Sequence, residues 1–164
     1  MPEEAPCISG LGVDIVEIDR MRRALERHPR MRERLFSEEE RAYCDSRSRP
    51  EIHYAMRFAA KEAVLKALGM GFSNGIRFTD VEVLRDERGR PAPRLRGRAA
   101  EIAAAAGVVE MHLSLSFTHL TAVASAVAVT ERMRPQPEPR PLRSAERLED
   151  AFKEARGLLD GLAE

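Results

Sequence analysis

Alternation and helical spacing divide the chain into strands and helices. Between Met111 and Phe117, apolar Met111, Leu113, Leu115 and Phe117 alternate with His112, Ser114 and Ser116, the period of two of a strand with one polar face. Ala122 to Val129 repeats that period with Ala122, Ala124, Ala126 and Ala128 on one side, a face small enough for a helix to approach closely. The long apolar stretch from Glu51 to Leu68, followed by Gly69 and Gly71, predicts that partner helix. Cys7 to Ile15 reads as a strand carrying Gly10 and Gly12, where glycine marks a bulge or a close approach, with Asp14 at its end. Ile18, Met21 and Leu25 predict a helix over Glu17 to His28, stopped by Pro29. Ser37 and Glu40 form a capping-box pattern ahead of a short helix reaching about Ser46. Ile76 to Leu84 and Ala92 to Leu95 read as a hairpin broken by Asp86 to Pro91, and Arg98 to Ala106 as an Ala-rich helix ended by Gly107.

After Met133 the pattern changes, because Pro135, Pro137, Pro139 and Pro141 make an extended linker unable to join a core. Leu148, Phe152, Ala155, Leu158, Leu159 and Leu162 return at helical spacing. The reading is therefore a domain over 1–132, a Pro-rich linker over 133–143 and an amphipathic helix over 144–164. At 164 residues, 43% of them apolar with no Trp, the chain can build one core of small side chains.

Charge narrows the function classes. Lys and Arg number 27 against 27 Asp and Glu, which argues against a protein built to coat nucleic acid or an acidic membrane. The Arg run at 20, 22, 23, 27, 30, 32 and 34 is either a solvated helix face or a dock for an acidic protein surface. Cys7 and Cys44 form neither a disulfide framework nor a metal-ligand spacing, and no run is long and apolar enough to span a membrane. With a start that lacks the layout of a signal peptide, the expected location is the cytoplasm.

The chemistry centres on the helix at 51–68. Phe58, Ala59, Glu62 and Lys66 share a stripe there, so Glu62 is either one half of an i,i+4 pair with Lys66 or a ligand for a cation. With Asp14 at the end of a central strand beside that helix, two carboxylates converge without His or Cys. Such a hard-oxygen site suits magnesium, which takes one or two carboxylates and keeps waters or phosphate oxygens. Arg57, Lys61 and Lys66 crowd the same helix, and cations around a metal-carboxylate pair suit phosphoryl transfer, where charge grows on phosphate oxygens. Gly10 and Gly12 do not complete a dinucleotide fingerprint, since position 15 is Ile.

Three stretches carry a resemblance: Gly10-Leu11-Gly12-Val13-Asp14-Ile15-Val16-Glu17-Ile18, Arg57 to Gly69 with its Lys-Glu-Ala-x-x-Lys core, and His112-Leu113-Ser114-Leu115-Ser116 followed by the Ala-rich strand. Over about residues 8 to 131 the chain resembles the holo-acyl-carrier-protein synthases, the short bacterial class of 4'-phosphopantetheinyl transferases. The resemblance implies an α+β fold in which a long helix packs on a mostly antiparallel sheet. It implies transfer of the 4'-phosphopantetheine arm of coenzyme A to a serine of an apo acyl carrier protein, with release of adenosine 3',5'-bisphosphate. Asp14 and Glu62 would hold magnesium, and Lys66 would contact the phosphates and stabilise the leaving group. Arg57 and Lys61 would bind coenzyme A, with the Gly89 to Pro91 turn and His112 near its nucleotide end. Arg20 and Arg27 would dock the acidic carrier, and the assembly would be a homotrimer with sites at subunit boundaries. The general base would be a metal-bound water or Glu62. Where many members place a His after the Ser-Leu-Ser run, this chain has Phe117, which alternation assigns to the core.

Two other readings compete with the transferase. A carrier-binding module without chemistry would keep the Arg-rich helix but has no need of Asp14, Glu62 and Lys66 together. A nucleic-acid binder would use the Arg run but lacks net positive charge and aromatic stacking platforms.

Overall fold

The structure, a computed structural model, describes residues 10–70, 75–131, 148–149 and 151–156. In chain order the elements are β1 (Gly10–Glu17), α1 (Ile18–Arg27), α2 (Met31–Leu35), α3 (Glu38–Asp45), α4 (Pro50–Ala67), β2 (Val81–Arg85), β3 (Pro91–Leu95), α5 (Gly97–Ala105), β4 (Val108–Phe117) and β5 (Thr121–Thr130). The fold is α+β: an antiparallel sheet of order β1-β5-β4, a two-stranded β2-β3 hairpin, and α4 as the long central helix.

The Ala face of β5 is the floor on which α4 lies. Ala122, Ala124, Ala126 and Ala128 are fully buried, as are Ala59, Ala60 and Ala63 of the helix. Register places Gly10 opposite Ala128, Gly12 opposite Ala126 and Asp14 opposite Ala124, so all three β1 residues look toward α4. A Cβ at Gly10 would lie 1.7 Å from the Ala67 carbonyl oxygen, and one at Gly12 1.8 Å from that of Ala63. The glycines therefore mark a close approach of helix backbone to strand backbone, with no bulge. Pro50 at its first turn and uninterrupted helix formers to Ala67 make α4 locally favourable. Its end is a Schellman motif: Met70 N–H donates to the Leu65 carbonyl and Gly69 N–H to that of Lys66, both at 2.9 Å, with Gly69 at φ 70°.

A second cluster, including Ile18, Met21, Leu25, Phe36, Tyr54 and Ala55, packs α1 and α3 against the first half of α4. Ser37 and Glu40 complete the expected capping box. Three local expectations change. The strand expected from Ile76 begins at Val81, because Asp80 accepts the Arg77 N–H and winds Phe78–Asp80 into a 3-10 turn. Helix α2 follows Pro29, where the sequence pattern predicts none. Strand β1 is an edge of its sheet, with β5 central, and it continues to Glu17, so Asp14 lies inside an edge strand and not at the end of a central one.

The chain divides into two compact units, Met1–Arg134 and Pro135–Glu164. In the second, residues 148–149 and 151–156 are helical, with Leu148 and Phe152 exposed. The Pro-rich linker and the remainder of the terminal helix lie outside the described residues.

Candidate active site

Because the glycines of β1 admit the helix backbone, the next inward residue of the strand, Asp14, meets α4 directly. Lys66 Nζ donates to Asp14 Oδ1 at 2.7 Å and to the Val13 carbonyl at 2.9 Å. The ion pair of this site thus runs between helix and strand, in place of the i,i+4 pair of Glu62 with Lys66. Glu62, half-buried one turn before Lys66, is close enough to Asp14 to feel its charge. Burial, reinforced by Asp14, holds the Glu62 carboxyl above its ordinary range, and Lys66 opposes this.

These residues pass a simple test for a divalent cation. Two partly buried carboxylates that repel each other are relieved by a positive ion between them. No cluster of three or more His, Cys, Asp or Glu exists among the described residues, so other ligands would be waters or substrate oxygens. Cys44 offers no competing nucleophile, since burial pushes its thiol up to about 12.

Arg57 is 5% exposed, with its guanidinium 4.0 Å from the centre of the Tyr43 ring and its Nε without a hydrogen-bond partner. It lines a cleft of about 330 Å³ together with Gly89, Pro91, Arg85, Arg90 and Ser114. Three of the residues expected at coenzyme A, Arg57, Gly89 and Pro91, therefore share one cavity. Tyr43 and Arg85 went unforeseen. Nothing in local spacing links Tyr43 to Arg57, although the basic turn around Gly89 hinted at Arg85.

Two expectations are corrected by burial. Lys61 is fully buried and cannot touch coenzyme A: its Nζ is 2.8 Å from Glu40 Oε2, donates to the Phe78 carbonyl at 3.0 Å, and donates also to that of Val81. All three of its protons are committed inside the protein. Phe117 is 53% exposed and so is not core, although it pairs with Ala122 as alternation required. His112 sits on the open face of β4, its side chain 64% exposed and 3.2 Å from Glu110, and does not line the cleft that holds Gly89 and Pro91.

The Arg run separates into two groups. Arg22 and Arg23 are engaged by Asp19 and Glu26 on their own helix. Arg20 is exposed on α1, and Arg27 lines a second cleft, of about 970 Å³, with Arg30, Arg34, Met31 and Phe78. Arg77 also lines this cleft, and sequence separation hid it. Phe78 of this cleft stacks on Phe58 at 5.3 Å, and Phe58 is one helical turn before Glu62.

Residues 10–126 match the family model of the 4'-phosphopantetheinyl transferase superfamily. The chain belongs to that superfamily. Similar relatives include the holo-[acyl-carrier-protein] synthase of Moorella thermoacetica, 48% identical over 100 residues, covering 61% of this chain and 77% of the relative. That of Syntrophotalea carbinolica is 49% identical over 107 residues, covering 65% and 84%. Among solved structures, a holo-(acyl-carrier-protein) synthase from Bacillus anthracis in complex with CoA (3',5'-ADP) aligns at TM-score 0.62 with 34% identity, covering 76% of this chain and 98% of that one. The protein is thus a 4'-phosphopantetheinyl transferase by family. Among its described residues no helix is long and apolar enough to cross a membrane.

Proposed function

We propose that this transferase moves the 4'-phosphopantetheine arm of coenzyme A to a serine of an apo acyl carrier protein, releasing adenosine 3',5'-bisphosphate, with magnesium held by Asp14 and Glu62. The observation that carries the reading is the Asp14–Lys66–Glu62 cluster, which combines a carboxylate pair with a half-exposed ammonium. Bound magnesium would supply positive charge to the pyrophosphate oxygens as the bond to the leaving group breaks. Lys66, anchored through Asp14 and the Val13 carbonyl, supplies a further positive charge at a defined point.

The cleft with Arg57, Arg85 and Arg90 suits the phosphate-bearing nucleotide end of coenzyme A. Arg20, Arg27 and the cleft continuing through Arg77 suit an acidic carrier surface, since among the described residues no acidic one lines that cleft. A homotrimer is supported by the sheet face turned away from α4, where Leu11 and Ile15 are each 63% exposed and Val13 48%. The catalytic domain is assigned to 1–132, with 133–143 as linker and 144–164 as an appended helix, and the location is cytoplasmic.

Intact-mass spectrometry of apo acyl carrier protein incubated with this protein, coenzyme A and magnesium tests the reading. We expect a gain of one phosphopantetheine arm that disappears with a chelator. A folded protein that binds coenzyme A yet modifies no carrier would favour the carrier-binding module. Glu62→Gln separates the two, since it should abolish transfer and leave carrier binding intact.

A further inference from the structure

We propose that Lys61 and Glu40 are positioning residues whose buried ion pair sets the rotation of α4, and thereby aims Glu62 at Asp14. This rests on the metal-carboxylate reading above. The two side chains are fully buried and fully satisfied. Lys61 Nζ meets Glu40 Oε2 at 2.8 Å and donates to the carbonyls of Phe78 and Val81. Glu40 in turn accepts the Ser37 N–H at Oε2 and the Val83 N–H at Oε1, each at 2.9 Å. One ion pair therefore ties α4 to the start of α3, to the 3-10 turn and to β2. Neither residue lines either cleft.

The need for such a lock follows from the surface that α4 lays on the sheet. Alanines facing alanines bring backbones close but offer few protruding side chains to resist rotation or sliding. A hydrogen-bonded charge pair is directional where that contact is smooth. Successive helical residues point about 100° apart, so holding Lys61 toward α3 and β2 turns Glu62 to the face it shares with Lys66, which reaches Asp14 of β1. A buried ion pair is weak evidence of net stabilisation, because apolar residues of similar volume often do as well, whereas fixing one arrangement among several is a role such pairs can fill.

The test is the double variant Glu40→Leu with Lys61→Met, which removes both charges together. Three quantities are measured: thermal midpoint, Mn²⁺ affinity by electron paramagnetic resonance of free ion, and steady-state kinetics. We expect a folded protein whose Mn²⁺ affinity falls about tenfold, the scale of losses when groups supporting metal ligands are removed. The turnover number should fall while KM for coenzyme A stays within about twofold of wild type, since α4 positioning touches the ligand site and not the nucleotide cleft. Unchanged Mn²⁺ affinity, or a loss borne by KM for coenzyme A, would overturn the proposal. A wild type that binds no Mn²⁺ would bring down the metal reading and this inference with it. Should the double variant not fold, Glu40→Asp keeps the charge and shortens its reach. A severalfold loss of Mn²⁺ affinity is then expected, and wild-type affinity refutes the role.

Discussion

At Glu62 the same surroundings that suit a metal ligand are a cost without the metal. Burial, with the Asp14 charge behind it, raises its folded pKa above the unfolded value, so the folded protein holds this proton more tightly. The stability that Glu62 contributes is present below the unfolded pKa, roughly 4.3, and is lost as pH rises through the folded one. Glu62→Gln, which removes the titration, should therefore raise the thermal midpoint of chelator-treated protein at pH 7, with the difference shrinking toward zero near pH 4. A lower midpoint for the variant at pH 7 would mean that Glu62 is not destabilised where it lies. The cluster of Asp14, Glu62 and Lys66 was legible from residue types and motif. The fate of Lys61 was not, because in sequence a cation beside a ligand looks the same whether it faces phosphate or an interior Glu.

Among the elements, β1 and α4 meet backbone to backbone at Gly10 and Gly12, with the Asp14 side chain reaching Lys66 beside them. Gly12→Ala would set a methyl carbon against the Ala63 carbonyl, where neither backbone can give way without moving the Asp14–Lys66 contact. Overpacking of a core typically costs about 1–3 kcal/mol, and here the obstacle is backbone, so a loss at or above the upper figure is expected in urea titration. A near-neutral result would show that α4 can lift from the sheet. Strand periods, the capping box and the Gly-terminated helix were all readable because they are local: period two, Ser37 with Glu40, and Gly69 each act within a few residues. Strand order was not local, and β1 proved to be an edge because β5 pairs on both sides.

For the whole molecule, the exposed row of Leu11, Val13 and Ile15 on an edge strand is a liability for a lone protomer and an asset for an assembly. On the proposed trimer, Val13→Asp should give monomers in light scattering coupled to size exclusion, and should reduce transfer if the sites lie between subunits. A variant that remains trimeric would move the interface elsewhere. Alternating and helical patterns determined by themselves most of the strands and helices, because each depends on residues close in sequence, while the glycine spacing and the Lys-Glu-Ala-x-x-Lys run carried the resemblance that implied the α+β class and the carboxylate pair. Only the tertiary structure decided that Lys61 is interior, that Phe117 is exposed, that His112 stands apart from the Arg57 cleft, and that Arg77 and Arg27 line one cleft. Those outcomes depend on which surfaces meet across long stretches of chain, and burial, unlike periodicity, is a property of the packed molecule.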